Sequence, residues 1–293
     1  MYLKEHTRLC VLYAIAPVHA GSGSSTGAVD LPIQRERHTG WPQIQASGVK
    51  GAFRDHCLRF WAHQDHDALQ KAKDLTDRIF GAATGGSGDG QAGAVAFSDA
   101  KLLAFPVRST AAPFVWVVCP TLLRRLARDL DLVPQEETSG LDLPCSGDKF
   151  IPVIGEFADQ LVLEDLCLTK GQGDTGKIMA VFQKLAPKVD RLVAISDEFF
   201  SFLVETATDV QAQIKIDERT GITQVGSLRY EELLPADSVL YVLNFFGDER
   251  RVDNPWQIAT VRDGVVKAVE THLQIGGDLS LGRGICQVTW IGN

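Results

Sequence analysis

Arg8-Leu9-Cys10-Val11-Leu12-Tyr13-Ala14-Ile15-Ala16 is an apolar run of β-favouring residues that stops at Pro17. Its content predicts a strand buried on at least one face. A second such run, Ile285 to Ile291, closes the chain, and others lie at 94–105, 114–119, 191–195 and 239–246. Helical spacing is predicted between them over 47–63, 67–80, 121–132, 196–207 and 263–272, with Ser47 as the N-cap of the first helix. Strands separated by helices, with strongly apolar first and last strands, predict an α+β sheet of the ferredoxin-like or RRM type.

Three glycine-rich stretches punctuate this pattern. Val18 to Gly27 carries Gly21, Gly23 and Gly27, a loop in which backbone can approach a ligand closely, and Asp30 stands just beyond it. Residues 81–90 are too rich in glycine for an element interior and predict a mobile surface loop. Gly276 to Gly284 enters the terminal strand from a helix, an order opposite to that of a dinucleotide fingerprint, and the chain has no G-x-x-x-x-G-K-[ST] phosphate loop. Residues 133–152 read as an insertion or long connection. Gln211 to Asp217 alternates, Glu218 to Gly221 turns and Ile222 to Val225 returns, which predicts a β-hairpin with too few apolar residues to sit in a core.

The chain of 293 residues carries 29 Lys and Arg against 37 Asp and Glu, a formal net charge of −8. That balance argues against a uniformly basic coat or a membrane-surface protein, so a polyanionic partner needs a locally basic groove. No apolar stretch reaches the ~18 residues of a membrane span, and Met1 to His6 lacks the basic-then-apolar order of a signal peptide, so a cytoplasmic chain is expected. Six cysteines without a C-x-x-C pair read as reduced core thiols.

Residues 30–60 hold five basic residues (Arg35, Arg37, Lys50, Arg54, Arg59) against three acids (Asp30, Glu36, Asp55). Lys50 and Arg54 share one helix face near an N-terminus with free N–H groups, which reads either as a phosphate site or as a solvated face. Asp30 is a loop carboxylate that can accept a proton, bind a divalent ion or merely stabilise a turn. His19 has the same two readings. His56, Cys57, His63 and His66 resemble a zinc set only superficially, since one helix places them at different angles and no second ligand pair is evident.

The blocks His19-Ala20-Gly21-Ser22-Gly23, Ala28 to Pro42 and Ala46-Ser47-Gly48-Val49-Lys50-Gly51-Ala52-Phe53-Arg54, with the Gly276 to Gly284 loop, resemble the RAMP superfamily of CRISPR proteins. The likeness is to the repeated backbone subunit of type III-B (Cmr) effector complexes. Gly48 departs from the helix-friendly residue many relatives carry there, at little cost in a first turn. The resemblance implies one domain over 1–293, an RRM-like palm with a helical or irregular insertion near 121–175 and a β-hairpin thumb near 208–228. It implies guide-RNA (crRNA) and target-RNA partners, copies of the chain stacked in a filament, other Cmr-type subunits and no membrane.

Site residues follow from the same resemblance. Asp30 matches an aspartate that cleaves target RNA with a divalent cation, Mg²⁺ or Mn²⁺, for which Asp30 is the implied ligand. Lys50 and Arg54 match positions facing the guide backbone, and His19 and Arg283 lie in the matching glycine-rich loops. Ile214, Ile216 or Ile222 would wedge against bases from the thumb. Two other readings stay open: a non-cleaving RNA scaffold, and a guide-processing endonuclease that uses His19.

Overall fold

The computed structural model describes residues 3–63, 68–82, 90–134, 136, 138, 140–250 and 253–292. A 3-10 turn leads into β1 (Thr7–Ala14), and a long loop then reaches β2 (Gln43–Ile44) and the helices α1 (Ala46–His63) and α2 (Ala68–Phe80). Short β3 (Gly81–Ala82) and β4 (Gln91–Ala92) pair with each other ahead of β5 (Val95–Phe97) and β6 (Ala100–Arg108). The middle of the chain holds β7 (Phe114–Val118), α3 (Pro120–Leu130), β8 (Lys149–Ile154), β9 (Gln160–Leu163) and β10 (Leu166–Lys170). It continues with α4 (Gly176–Leu185), β11 (Leu192–Ile195), α5 (Asp197–Thr206) and a hairpin of β12 (Asp209–Gln213) and β13 (Arg229–Leu233). β14 (Val239–Phe246), α6 (Ile258–Ala268), β15 (His272–Gln274) and β16 (Ile285–Ile291) complete it.

Six of these elements run β1-α1-β6-β14-α6-β16, and their strands lie side by side as β16-β1-β14-β6, every pair antiparallel. This is the β-α-β-β-α-β ferredoxin-like palm. β1 lies between two neighbours and is buried along almost its whole length, which is why its sequence is continuously apolar rather than alternating. α1 covers the sheet through Phe53, whose ring packs 4.9 Å from Phe97 and 6.1 Å from Trp290.

Everything from β7 to β13 is inserted between the second and third palm strands, and β6 carries the join. Its first half pairs with β14 and its second half, Phe105–Arg108, with β7, so the palm sheet continues through β7, β11, β8, β10 and β9. The stretch 121–175, expected to be helical or irregular, therefore contributes three strands. Pro152 interrupts the first of them, and β9 and β10 are short and separated by a tight turn with Glu164 at φ 48°. None of the three presents a long apolar run to read.

Other expectations shift locally. Residues 94–105 form two strands separated at Ser98 and Asp99, because the Ser98 hydroxyl takes the Leu243 N–H and interrupts the ladder. Ser47 lies inside α1 and is not its N-cap: Asp99 Oδ1 accepts the Ala46 N–H at 2.7 Å and caps the helix from a distant loop. α6 spans 258–268 and not 263–272, while α4 and β15 went unread. Cys10, Cys57, Cys119 and Cys286 are buried thiols, but Cys145 is half-buried and Cys167 exposed. Of residues 81–90, positions 83–89 lie outside the described residues.

Gly284 N–H donates to the Pro17 carbonyl, and the Gly284 carbonyl accepts from Ile275 N–H, so this glycine ties the two ends of the palm together. At φ +71° a Cβ there would lie 1.8 Å from the Ile275 carbonyl oxygen, whereas Gly282, at φ +73°, has open space around it. Gly284→Ala is expected to cost roughly 2–4 kcal/mol in chemical denaturation, against about 1 kcal/mol for Gly282→Ala. Equal losses would show that the close approach is not a constraint.

Candidate functional site

The loop joining β1 to β2 does not wander over the surface; it is stitched to the root of the hairpin. Val18 bridges Leu234, Gly21 bridges Ile33, and Leu31 pairs in parallel with Glu231. The Leu31 N–H donates to the Tyr230 carbonyl at 3.0 Å, and the Glu232 N–H to the Leu31 carbonyl at 3.0 Å. The buried Glu232 carboxylate secures this seam. Its Oε1 accepts from Arg35 at 2.5 Å and from the Thr208 hydroxyl at 2.8 Å, and its Oε2 from the Ile33 N–H at 3.0 Å. Arg35 spends its other donors on the carbonyls of Gly40 and Val204.

Asp30 sits at the outer end of the seam. Its Oδ2 accepts the Tyr230 N–H at 2.7 Å and its carbonyl accepts from Ser25, while Oδ1 has no hydrogen-bond partner among the described residues. One carboxylate oxygen is thus fixed and the other presented to solvent where the hairpin leaves the body of the protein. Beyond that root the hairpin has no core beneath it. Ile214, Ile216 and Ile222 are 53, 49 and 66% exposed, and the fully exposed Val225 joins Val210, Leu228 and Tyr230 on the same element. The turn falls at Asp217–Gly221 beside an isolated Ile216–Thr223 bridge, as the sequence pattern predicts, but the returning strand is Arg229–Leu233, paired with Asp209–Gln213, and not Ile222–Val225.

His19 is enclosed, its side chain only 12% exposed. Nδ1 lies 2.8 Å from the Glu232 carbonyl and donates to it, which turns Nε2 toward Glu231, 3.7 Å from its Oε1. Gly21 permits this position, because a Cβ there would meet Nε2 at 2.7 Å. Burial first, then the neighbouring Asp278 carboxylate, push the Glu231 carboxyl above its ordinary range against the opposing pull of His19. Arg283 donates to the Gln211 side chain, so it anchors β12 to the C-terminal glycine-rich loop.

Lys50 and Arg54 differ more than their spacing suggests. Arg54 pairs with Asp77 and donates to the Gly81 carbonyl at 2.7 Å, clamping α1 to α2. Lys50 has no ion pair among the described residues and lies beside the exposed first turn of α1 at Ser47 and Gly48. Arg35 and Arg59 are likewise paired with acids of the chain, so of the five cations in 30–60 Arg37 and Lys50 are the ones without an ion pair among the described residues. The zinc reading finds no support among the described residues: His56 meets the Ala268 carbonyl and the edge of His272, Cys57 is buried, and His66 lies outside them.

Among the described residues the side chains that converge as metal ligands are His19, Glu231 and Asp278, with ligand atoms all within 4.8 Å of one another. Asp30 is not in that set. Asp278 Oδ2 is buried without a hydrogen-bond partner among the described residues, an acceptor of the kind a cation satisfies. Glu231, Glu232, Asp278 and Tyr230 escaped the sequence reading. Two acids ahead of Leu233 and Leu234 look like a polar strand edge until Arg35, 197 positions away, is placed against them.

The RAMP superfamily model matches residues 11–287. The CRISPR system Cmr endoribonuclease Cmr4 of Pyrococcus furiosus is 34% identical over 288 residues, covering 95% of this chain and 93% of the relative. The crystal structure of oligomeric Cmr4 from the same organism superposes with a TM-score of 0.70 at 27% identity, over 97% of each chain. A chain of the apo type III-B Cmr-beta complex, seen by cryo-EM, shares the fold with a TM-score of 0.76 at 19% identity, over 99% of each chain. The chain belongs to the RAMP superfamily, as a homologue of Cmr4. No helix among the described residues is long and apolar enough to cross a membrane.

Removing one partner of a buried, hydrogen-bonded ion pair leaves the other charge uncompensated, at roughly 3–5 kcal/mol. Glu232→Ala is expected to lose about that much in urea denaturation. A loss below about 1 kcal/mol would show that the seam does not depend on this carboxylate.

Proposed function

We propose that this chain is the crRNA-binding backbone subunit of a type III-B CRISPR effector complex, that its copies stack along the guide in the cytoplasm, and that Asp30 cleaves complementary target RNA at regular intervals. The observation that carries this reading is the pinning of Asp30 by the Tyr230 amide at the foot of an exposed apolar hairpin. A wedge that parts a base pair and a carboxylate at its foot act on the same nucleotide. The name of the Pyrococcus relative, an endoribonuclease, and the oligomeric crystal form of that relative support cleavage and self-association in turn.

A nucleotide flipped from its stack can turn its 2′-hydroxyl in line with its own phosphate. In the proposed step the 2′-oxygen bonds to phosphorus and its proton passes to the Asp30 carboxylate. The P–O5′ bond breaks and the 5′-oxygen leaves with a proton from solvent, giving a 2′,3′-cyclic phosphate and a 5′-hydroxyl. The tie from Oδ2 to Tyr230 fixes the carboxylate plane and leaves Oδ1 to take the proton. A divalent cation, when bound, supplies positive charge against the phosphate oxygens. A guide-processing role for His19 is disfavoured by its enclosed ring, whose Nδ1 is committed to Glu232.

Lys50 beside the exposed N-terminal turn of α1 is the backbone-phosphate contact in this reading. On a chain of −8, one subunit should hold RNA weakly, and tight binding should come from several copies lending their strips to one groove.

In the assembled complex, Asp30→Asn is expected to leave guide and target affinity within about twofold while cutting falls about 10²- to 10⁴-fold. Unimpaired cutting would make the chain a non-cleaving scaffold. Lys50→Ala should flatten the dependence of log affinity on log salt by about one contact per subunit, and an unchanged slope would put the phosphate path elsewhere.

A further inference from the structure

The palm holds a second convergence of polar side chains that the cleavage reading leaves unused. His19 comes from the first glycine-rich loop, Glu231 from the root of the hairpin and Asp278 from the C-terminal glycine-rich loop, so three segments far apart in sequence meet at one point. We propose that His19, Glu231 and Asp278 form a divalent-cation site that fastens the hairpin to both glycine-rich loops.

Several independent features fit a cation. The imidazole is oriented as metal-bound histidines are: Nδ1 is satisfied by a backbone carbonyl, that of Glu232, and Nε2 points into the cluster, 3.7 Å from Glu231 Oε1. Glu231 is 2% exposed; Gln213 donates to its Oε2, leaving Oε1 directed toward the histidine. Asp278 is held at φ 55°, a left-handed conformation uncommon outside glycine, and its buried Oδ2 has no hydrogen-bond partner among the described residues.

The backbone around the site is shaped to bring these groups together. Gly21 leaves room for the imidazole, and at Gly276 a Cβ would lie 2.5 Å from the His19 carbonyl oxygen. That carbonyl accepts the Gly277 N–H at 2.8 Å, which carries Asp278 to the site.

One imidazole and two carboxylates suit a borderline metal better than Mg²⁺, which prefers an all-oxygen octahedron and keeps its waters. Mn²⁺ should therefore bind more tightly than Mg²⁺, and Zn²⁺ more tightly still. The site does not depend on cleavage by Asp30, and its failure would leave that reading standing.

The test is a titration of the full chain with Mn²⁺ alone, followed by electron paramagnetic resonance, in which the six-line signal of the hydrated ion falls as it binds. The wild type and Asp30→Asn are expected to take up one ion per chain. Asp278→Asn and His19→Ala are expected to bind at least tenfold more weakly. Spin-echo modulation from one directly bound imidazole nitrogen, measured on the wild type, is expected too, and it needs no variant to fold. Lack of binding would overturn the proposal, as would binding without nitrogen modulation. Loss of binding in Asp30→Asn but not in Asp278→Asn would also overturn it, since the ion would then sit at Asp30.

Discussion

The functional end of the molecule depends on one buried carboxylate. Glu232 takes hydrogen bonds from Arg35, Thr208 and the Ile33 amide, and so gathers the β1–β2 loop, the segment after α5 and the hairpin strand β13 around a single charge. A loop of that length would ordinarily be mobile. Here the ladder from Val18–Leu234 to Leu31–Glu231 makes it an added strand in all but name. Asp30 inherits its position from that ladder, because the residue after it is paired and its own Oδ2 takes the next free amide of β13. The catalytic candidate is therefore placed by backbone pairing, with one oxygen left free for chemistry.

The same seam explains how a hairpin with an apolar, solvent-exposed tip is tolerated. An exposed row of Ile214, Ile216, Ile222 and Val225 costs solubility and is rarely kept without a partner surface. Its root is held on one side by Leu31 and on the other by Arg283 through Gln211, so the tip projects from a fixed base. The palm beneath is correspondingly solid: β1, β14 and β16 present a continuous buried layer to α1 and α6, and the insertion extends that sheet from β6. The wedge proposed for this hairpin would need such a footing.

The sequence disclosed the palm through the apolar runs Arg8 to Ala16 and Val239 to Phe246, whose strands are buried along almost their whole length, and through Ile285 to Ile291, which alternates between buried and more exposed positions. The hairpin tip was legible from its alternation and its Glu218–Gly221 turn. The inserted strands were hidden, since β9 and β10 are four and five residues long and Pro152 breaks the pattern of β8. Charge counting misled in a specific way. Arg54 looked like a free cation four residues from Lys50, but Asp77 and the Gly81 carbonyl, contributed by α2 and the turn after it, consume it. Asp30 could be singled out by its loop and by family resemblance, whereas Glu231, Glu232 and Asp278 acquire meaning only when distant segments are brought into contact.

If the seam is one cooperative unit, its two sides should open together. Native-state hydrogen exchange resolved at the amides of Leu31 and Ile33 on the loop, and of Tyr230, Glu232 and Leu234 on the hairpin root, tests this directly. Matching protection across the five amides, well above that of the exposed hairpin tip, is the predicted result. Rapid exchange at Leu31 and Ile33 beside a protected β13 would contradict the account, because Asp30 would then ride on a free loop.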